Sequence, residues 1–382
     1  MADAGGSVER ASLGAGQPEQ QRGERLGALD ELRGLMALSV AVYHLAVWTH
    51  ALEGSARNAS IVLGIYSVQG FFMISGLCFF ALYGRTRFDR EALQGFFWRR
   101  FLRIAPLFYC AIALSYVCGN PVNPSAGLAR FAENLTLSFG LFHPNHALVL
   151  GGWSIGIEWL FYAVFPLLAW LIRRRVWLYA ACALSALFAV PYTFGTVEAL
   201  SGAAQFNAYV QVPNHAFLFL VGGVLADLRE RTQLRLPGLF VGLSAVGLGG
   251  LWLGVQPEIV DHASVMVRWP RVKYLVLCAA VVLLCALCSA RSALQPSAAA
   301  RPLRLLGELS YSVYLMHPFA WLGVSRLAPP GTAPLTCLLL GLCATLLLSF
   351  CTYRLIERPA MQLGRRRRER GPSLQVAPVR SG

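Results

Sequence analysis

Lysine is almost missing from this chain: Lys273 stands alone against 32 arginines. We read that bias as a base-composition habit of the source, not as chemistry. Charge of any kind is scarce. Only 14% of the 382 residues are charged, against roughly 25% in a soluble domain, which argues against a water-soluble fold. Several signatures are also missing. Without a Walker A loop, nothing points to a nucleotide-driven pump. There is no GxSxG elbow and no HExxH pair. No histidine has an aspartate five residues later, so the H-x4-D arrangement of glycerolipid acyltransferases is absent. The ten cysteines lie mostly in apolar runs, as Cys278, Cys285 and Cys288 do, and no CxxC pair has histidines at zinc spacing. Neither a disulfide framework nor a metal is expected.

What is there is apolar: 56% of residues are hydrophobic and the mean hydropathy is +0.53. That combination predicts an all-α, polytopic membrane helix bundle. Spans of about 20 mostly apolar residues are expected at 28–50, 60–82, 100–118, 149–171, 176–194, 213–228, 237–255, 272–290, 306–326 and 334–356, ten in all. They form one domain over 27–360. Residues 1–26, polar and without the apolar core of a signal peptide, are expected as a disordered cytoplasmic tail. Residues 361–382, with their RRRRER run, are expected as a basic cytoplasmic tail. The net charge of +14 does not point to nucleic acid, because the arginines sit between apolar segments, where topology needs them. With the N-terminus inside, 27 of the 33 basic residues fall on the cytoplasmic side. That predicts both termini in the cytoplasm. Two glycosylation sequons, Asn58-Ala-Ser60 and Asn134-Leu-Thr136, fall on the outer side and are read as chance.

Charged groups inside spans are costly, about 2.5–3.5 kcal/mol each on insertion scales, so they are functional suspects. In RGLMALSVAVYH, Arg33 and His44 are eleven residues apart. On a helix that is about 16 Å along the axis and within about 20° of one face. Arg33 is expected at the cytoplasmic rim and His44 in the outer half. Glu158, near the outer start of the fourth span, is expected at His44's depth, about 8–9 Å below the rim. There a carboxylate can orient an imidazole and stabilise its protonated form. Tyr311, Tyr314 and His317 recur on one side of the ninth span. Arg99, Arg100 and Arg103 open the third span near Arg33's level, an electropositive ring able to receive phosphates. Each group also has a structural role open to it: snorkelling for Arg33, hydrogen bonding inside the bundle for His44 and Glu158, packing for the tyrosines, and topology for the arginines.

Six segments, read together, resemble a known family. LDELRGLMALSVAVYH, VQGFFMISGLCFF, FFWRRFLRIAPLF, WSIGIEWLFYAVFPLL, LGELSYSVYLMHP and YRLIERPA occur in that order from Leu29 to Pro359. They are similar to the motifs of the type-three membrane acyltransferases, the bacterial O-acetylases of surface glycans. The resemblance implies a ten-helix bundle in the bacterial inner membrane. It implies acetyl-CoA as acyl donor, an essential histidine at His44 and donor contact at Arg33. Gln69 stands where many members have Asp, and Glu31 where Gly is common.

On this reading CoA phosphates meet Arg99, Arg100 or Arg103, Arg33 grips the donor, and Ser75 lines its channel. His44 acts as general base with Glu158, or as the nucleophile of an acetyl-histidine intermediate. Trp153, Tyr311 and His317 contact the acceptor, a polysaccharide or a lipid-linked sugar. Two other functions remain open: acylation of a small secondary metabolite such as a macrolide, and transport of a lipid-linked sugar with these groups as a proton relay.

Overall fold

The computed structural model describes residues 27–84, 86, 88–118, 127–172, 174–232, 270–287 and 300–369. Every element among them is helical. The first three helices are α1 Gly27–Thr49, α2 Gly54–Tyr83 and α3 Arg90–Val117. A capping segment follows: α4 Leu128–Thr136, α5 Phe139–Phe142 and a 3-10 turn, Pro144–His146. Next come α6 Gly152–Leu171 and α7 Arg175–Pro191, which continues as a π turn over Tyr192–Val197. Then come α8 Gly202–Tyr209, a 3-10 turn Val212–Asn214, α9 Ala216–Thr232 and α10 Pro270–Leu287. The chain closes with α11 Ala300–Glu308, α12 Ser310–Leu327, α13 Pro334–Thr352, a π turn Tyr353–Glu357 and α14 Arg358–Glu369.

Among the described residues, six helices are long and apolar enough to cross a membrane. They become seven if the bent pair Gly202–Tyr209 and Val212–Thr232, 70° apart, counts as one span. Two further expected spans, 272–290 and 306–326, fall on α10 and α12, which are not among the six. The expected span 237–255 lies outside the described residues, as do 1–26 and 370–382. Helix α14 carries the chain past residue 361 to Glu369 and packs along α3.

The bundle is built around α2. Of its apolar window 83% is buried, and α1, α9, α10 and α6 all pack on it. Its composition explains why: small residues at one crossing let two backbones touch. A Cβ at Gly76 would run into the carbonyl of Phe219 on α9, and one at Gly222 would meet Leu77 N at 2.6 Å. Close approach of this kind is how helices associate where lipid offers no hydrophobic contrast. Peripheral helices show the opposite pattern. On α7, Leu184, Leu187 and Phe188 are exposed, which is the face a helix presents to acyl chains. The nine described cysteines are free thiols.

Asn134, in the second sequon, is wholly buried. Its amide donates to the carbonyls of Arg130 and His146, at 2.9 Å each, and accepts from Leu148 N at 3.0 Å. It holds the capping segment together and offers no acceptor for a glycan.

Candidate active site

A cavity opens where α1, α2, α3, α6 and α12 converge. Its polar lining is Arg33, Ser75, Arg103, Ser154, Glu158, Ser310, Tyr311 and Tyr314, and Phe71, Phe72 and Ile155 supply apolar wall. Helix periodicity explains the convergence: Phe71 and Ser75, four apart on α2, share a face, as do Ser154 and Glu158 on α6, and Tyr311 and Tyr314 on α12.

Glu158 accepts hydrogen bonds from Ser75 Oγ at 3.2 Å and from the Tyr162 hydroxyl. Tyr162 is one turn further along the same helix, so a single rotamer meets the carboxylate. Arg33 shares the cavity wall with Glu158 and reaches Asp30 at 3.4 Å and the Cys78 sulfur at 3.8 Å. Two arginines and one carboxylate around a partly apolar cavity leave a net positive pocket.

The three arginines of α3 do not act as one ring. Arg103 lines the cavity and reaches the Met361 sulfur at 3.8 Å. Arg100 lies over the Phe79 ring at 4.4 Å, with Tyr162, Tyr83 and Phe96 also within 6 Å of its guanidinium. That is cation–π packing. Arg99 packs its stem against Gly364 of α14. Residues 99, 100 and 103 share one side of α3, but Arg99 lies a turn nearer the helix start, beside α14, and aromatic rings claim Arg100, so only Arg103 lines the cavity.

His44 forms a second group. Its Nδ1 is 3.0 Å from His317 Nε2, with ring planes 14° apart. His317 Nδ1 faces the carbonyl of Val313 at 3.2 Å. A carbonyl only accepts, so Nδ1 of His317 carries its proton and Nε2 its lone pair. His44 Nδ1–H then donates to His317, and the lone pair of neutral His44 lies on Nε2. Trp48, one turn after His44, lies nearly parallel to both imidazoles, 5.3 Å from His44 and 5.9 Å from His317.

This differs from the expected His44–Glu158 contact. Helix rise led us to expect the two groups at one depth, yet Glu158 lines the cavity with Arg33, which lies about 16 Å along α1 from His44. The hydrogen bonds of Glu158 come from α2 and from its own helix, while His44 meets α12. Tyr314 stands between the two groups. It lines the cavity, and its ring lies 6.4 Å from that of His317. Its hydroxyl is within 3.0 Å of Ser154 Oγ and the Gly151 carbonyl. Gly151 opens α6 at φ +74°, a left-handed turn that suits glycine. Tyr311 lines the cavity and donates to the Ile104 carbonyl at 2.8 Å. Trp153 is elsewhere, its ring 5.2 Å from that of His215.

Sequence reasoning missed a buried polar network beside that tryptophan. Gln69 donates to the Tyr209 hydroxyl at 2.6 Å, and its carbonyl oxygen is 3.2 Å from His215 Nδ1. Asn214 and His215 both reach the Tyr209 carbonyl at 2.8 Å. Gln69, Asn214 and His215 are all at most 2% exposed. Gln69 was visible as a departure from the family pattern; its partners lie about 140 residues away, and no local signal reports them. Trp48 and Tyr162 were findable, since each sits four residues after a suspect group on a helix.

A family model described as an acyltransferase domain matches residues 26–354. The chain is 27% identical to "Acyltransferase MdmB" of Streptomyces mycarofaciens over 90% of this chain and 94% of that protein. It is 29% identical to "Exopolysaccharide production protein ExoZ" of Rhizobium meliloti (strain 1021) over 84% of this chain and 96% of that protein. No solved structure matches. With most of its length matched and several apolar helices long enough to span a bilayer, the chain belongs to the type-three acyltransferase family of multi-pass membrane proteins.

Proposed function

We propose that this protein moves an acetyl group from cytoplasmic acetyl-CoA to a hydroxyl of an exported or cell-surface polysaccharide, or of its lipid-linked precursor. The observation that carries the reading is the two-ended layout of α1. One continuous helix bears Arg33 on the wall of a positive cavity and His44, about 16 Å along its axis, in a tautomer with its base nitrogen defined. The full bundle on this reading has ten spans in the bacterial inner membrane, with both termini cytoplasmic.

The donor's anionic end meets Arg33 and Arg103, and its arm runs past Ser75. The acceptor hydroxyl attacks the thioester carbon while His44 Nε2 takes its proton. The carbon–sulfur bond breaks, and CoA leaves as a thiolate that receives a proton in turn. His317 holds the His44 ring in the productive tautomer and shares the developing charge. Glu158, secured by Ser75 and Tyr162, orients Arg33. The acceptor enters from the outer side toward Trp153, while Tyr311 stands on the wall of the donor cavity. The likeness to an exopolysaccharide production protein supports a glycan acceptor.

The test is His44→Ala in the native host, with insertion checked by membrane fractionation and a C-terminal topology reporter. Mass spectrometry of surface polysaccharide should show loss of O-acetyl groups. Unchanged acetylation by a correctly inserted variant refutes the assignment. Purified protein that binds acetyl-CoA no better than its Arg33→Ala variant refutes the donor site.

A further inference from the structure

Outside the cavity, the capping segment between α3 and α6 holds three side chains that converge. Glu133 on α4 faces two histidines of the turn H-P-N-H. Its Oε1 is 3.3 Å from His143 Nδ1, and its Oε2 is 3.1 Å from His146 Nδ1. The imidazoles lie parallel, 4.3 Å apart and 16° between planes. One ligand atom from each of the three falls within 4.8 Å of the others.

We propose that Glu133, His143 and His146 form a divalent transition-metal site, with Zn²⁺ the best match. The donor set is two imidazole nitrogens and one carboxylate oxygen, the borderline ligands that zinc takes. Ligands at about 2.0–2.1 Å in a tetrahedron stand about 3.4 Å apart. Glu133 already stands 3.3 and 3.1 Å from the two nitrogens through its two oxygens, and a small rotation of exposed His143 brings one atom of each residue onto a single ion.

The scaffold is built to keep the three together. Pro144 starts the 3-10 turn, and His146 N donates to the His143 carbonyl at 2.8 Å, which fixes the two histidines on one side. Asn134, next to Glu133, is wholly buried and grips the His146 carbonyl from α4. The groups are therefore held in place by backbone contacts and not by the carboxylate contacts alone. The sequence expectation of no metal looked for cysteine pairs. The H-x2-H spacing was present, but its third ligand, ten residues before His143, follows from the packing of α4 on the turn. The ion is structural: it ties α4 to the turn that leads into Gly151 and the start of α6, and takes no part in acyl transfer.

The experiment uses full-length protein in detergent with a tag free of histidine, stripped with chelator. Zn²⁺ is titrated by equilibrium dialysis, and Co²⁺ by its visible absorption. The expected result is one Zn²⁺ per chain. His143→Gln, at the exposed position, and Glu133→Gln should each weaken binding at least about tenfold, since each leaves only two protein ligands. Zn²⁺ should also raise the melting temperature of the parent and not of either variant. Absence of stoichiometric binding by the parent, or equal affinity in His143→Gln, overturns the proposal and leaves a hydrogen-bonded histidine pair. His143→Gln touches no buried contact, so a folding defect does not confuse the outcome.

Discussion

His317 Nε2 stands 3.0 Å from His44 Nδ1, and His317 Nδ1 in turn faces the Val313 carbonyl. The order of donors along this chain is fixed by its last member, which can only accept. It follows that the tautomer of His44 is set from α12, not by the carboxylate on α6.

If His44 is the base, His317 is a positioning residue. His317→Ala should lower kcat on the order of 10²-fold, with KM for the acyl donor unchanged, because the donor end lies at Arg33. His317→Gln keeps an acceptor near His44 Nδ1 and should recover part of the loss. Steady-state kinetics on purified protein decide it. A variant that raises KM alone, or a glutamine no better than alanine, would sink the positioning role.

Glu158 gives a stability prediction that does not depend on the reaction. Tyr162 is 2% exposed, Glu158 is half-buried on the cavity wall, and Ser75 contacts it at 3.2 Å. Tyr162→Phe should cost about 0.5–1.5 kcal/mol, the net worth of one hydrogen bond, and Ser75→Ala less. Thermal unfolding in detergent gives the order directly. The reverse ranking would mean that the serine, not the tyrosine, holds the carboxylate.

These residues also show what a sequence can reveal. Arg33, His44, Glu158 and the tyrosines of α12 stood out because polar groups in apolar runs are few, and helix period gave their heights. Of the ten expected spans, those from 28–50 to 213–228 and from 272–290 to 334–356 fall on helices. Rotation about each axis was not legible. It depends on which neighbour crosses where, and so on contacts hundreds of residues apart. Hence the arginines of α3 scatter to a cavity, an aromatic cluster and α14, and Trp153 turns to His215. The capping segment was opaque for another reason: its order comes from one buried asparagine and not from periodicity.

The Gln69 network makes the family departure testable. Gln69→Leu keeps the size but removes the hydrogen bonds to the Tyr209 hydroxyl and His215 Nδ1 among side chains at most 3% exposed. A loss of about 1–3 kcal/mol in all is expected. Gln69→Asp, the residue common in the family, can still accept from the Tyr209 hydroxyl and should cost less than leucine. Melting temperatures of the three proteins are the measurement. An equally stable leucine variant would show that the network holds nothing.

The crossing of α2 and α9 can be tested against a glycine elsewhere. A Cβ at Gly222 would press on the Met73 carbonyl and stand 2.6 Å from Leu77 N, both backbone atoms of a helix that cannot yield. Gly222→Ala should therefore destabilise by about 1–3 kcal/mol or more, as overpacking does. Gly323 on α12 has nothing within 4 Å of its would-be Cβ. Gly323→Ala removes only backbone freedom and should stabilise by roughly 0.5–1 kcal/mol. The two substitutions are chemically identical and both lie inside helices, so propensity predicts one sign for both. Opposite shifts in melting temperature place the effect in the crossing; shifts of the same sign would deny that α2 and α9 touch there.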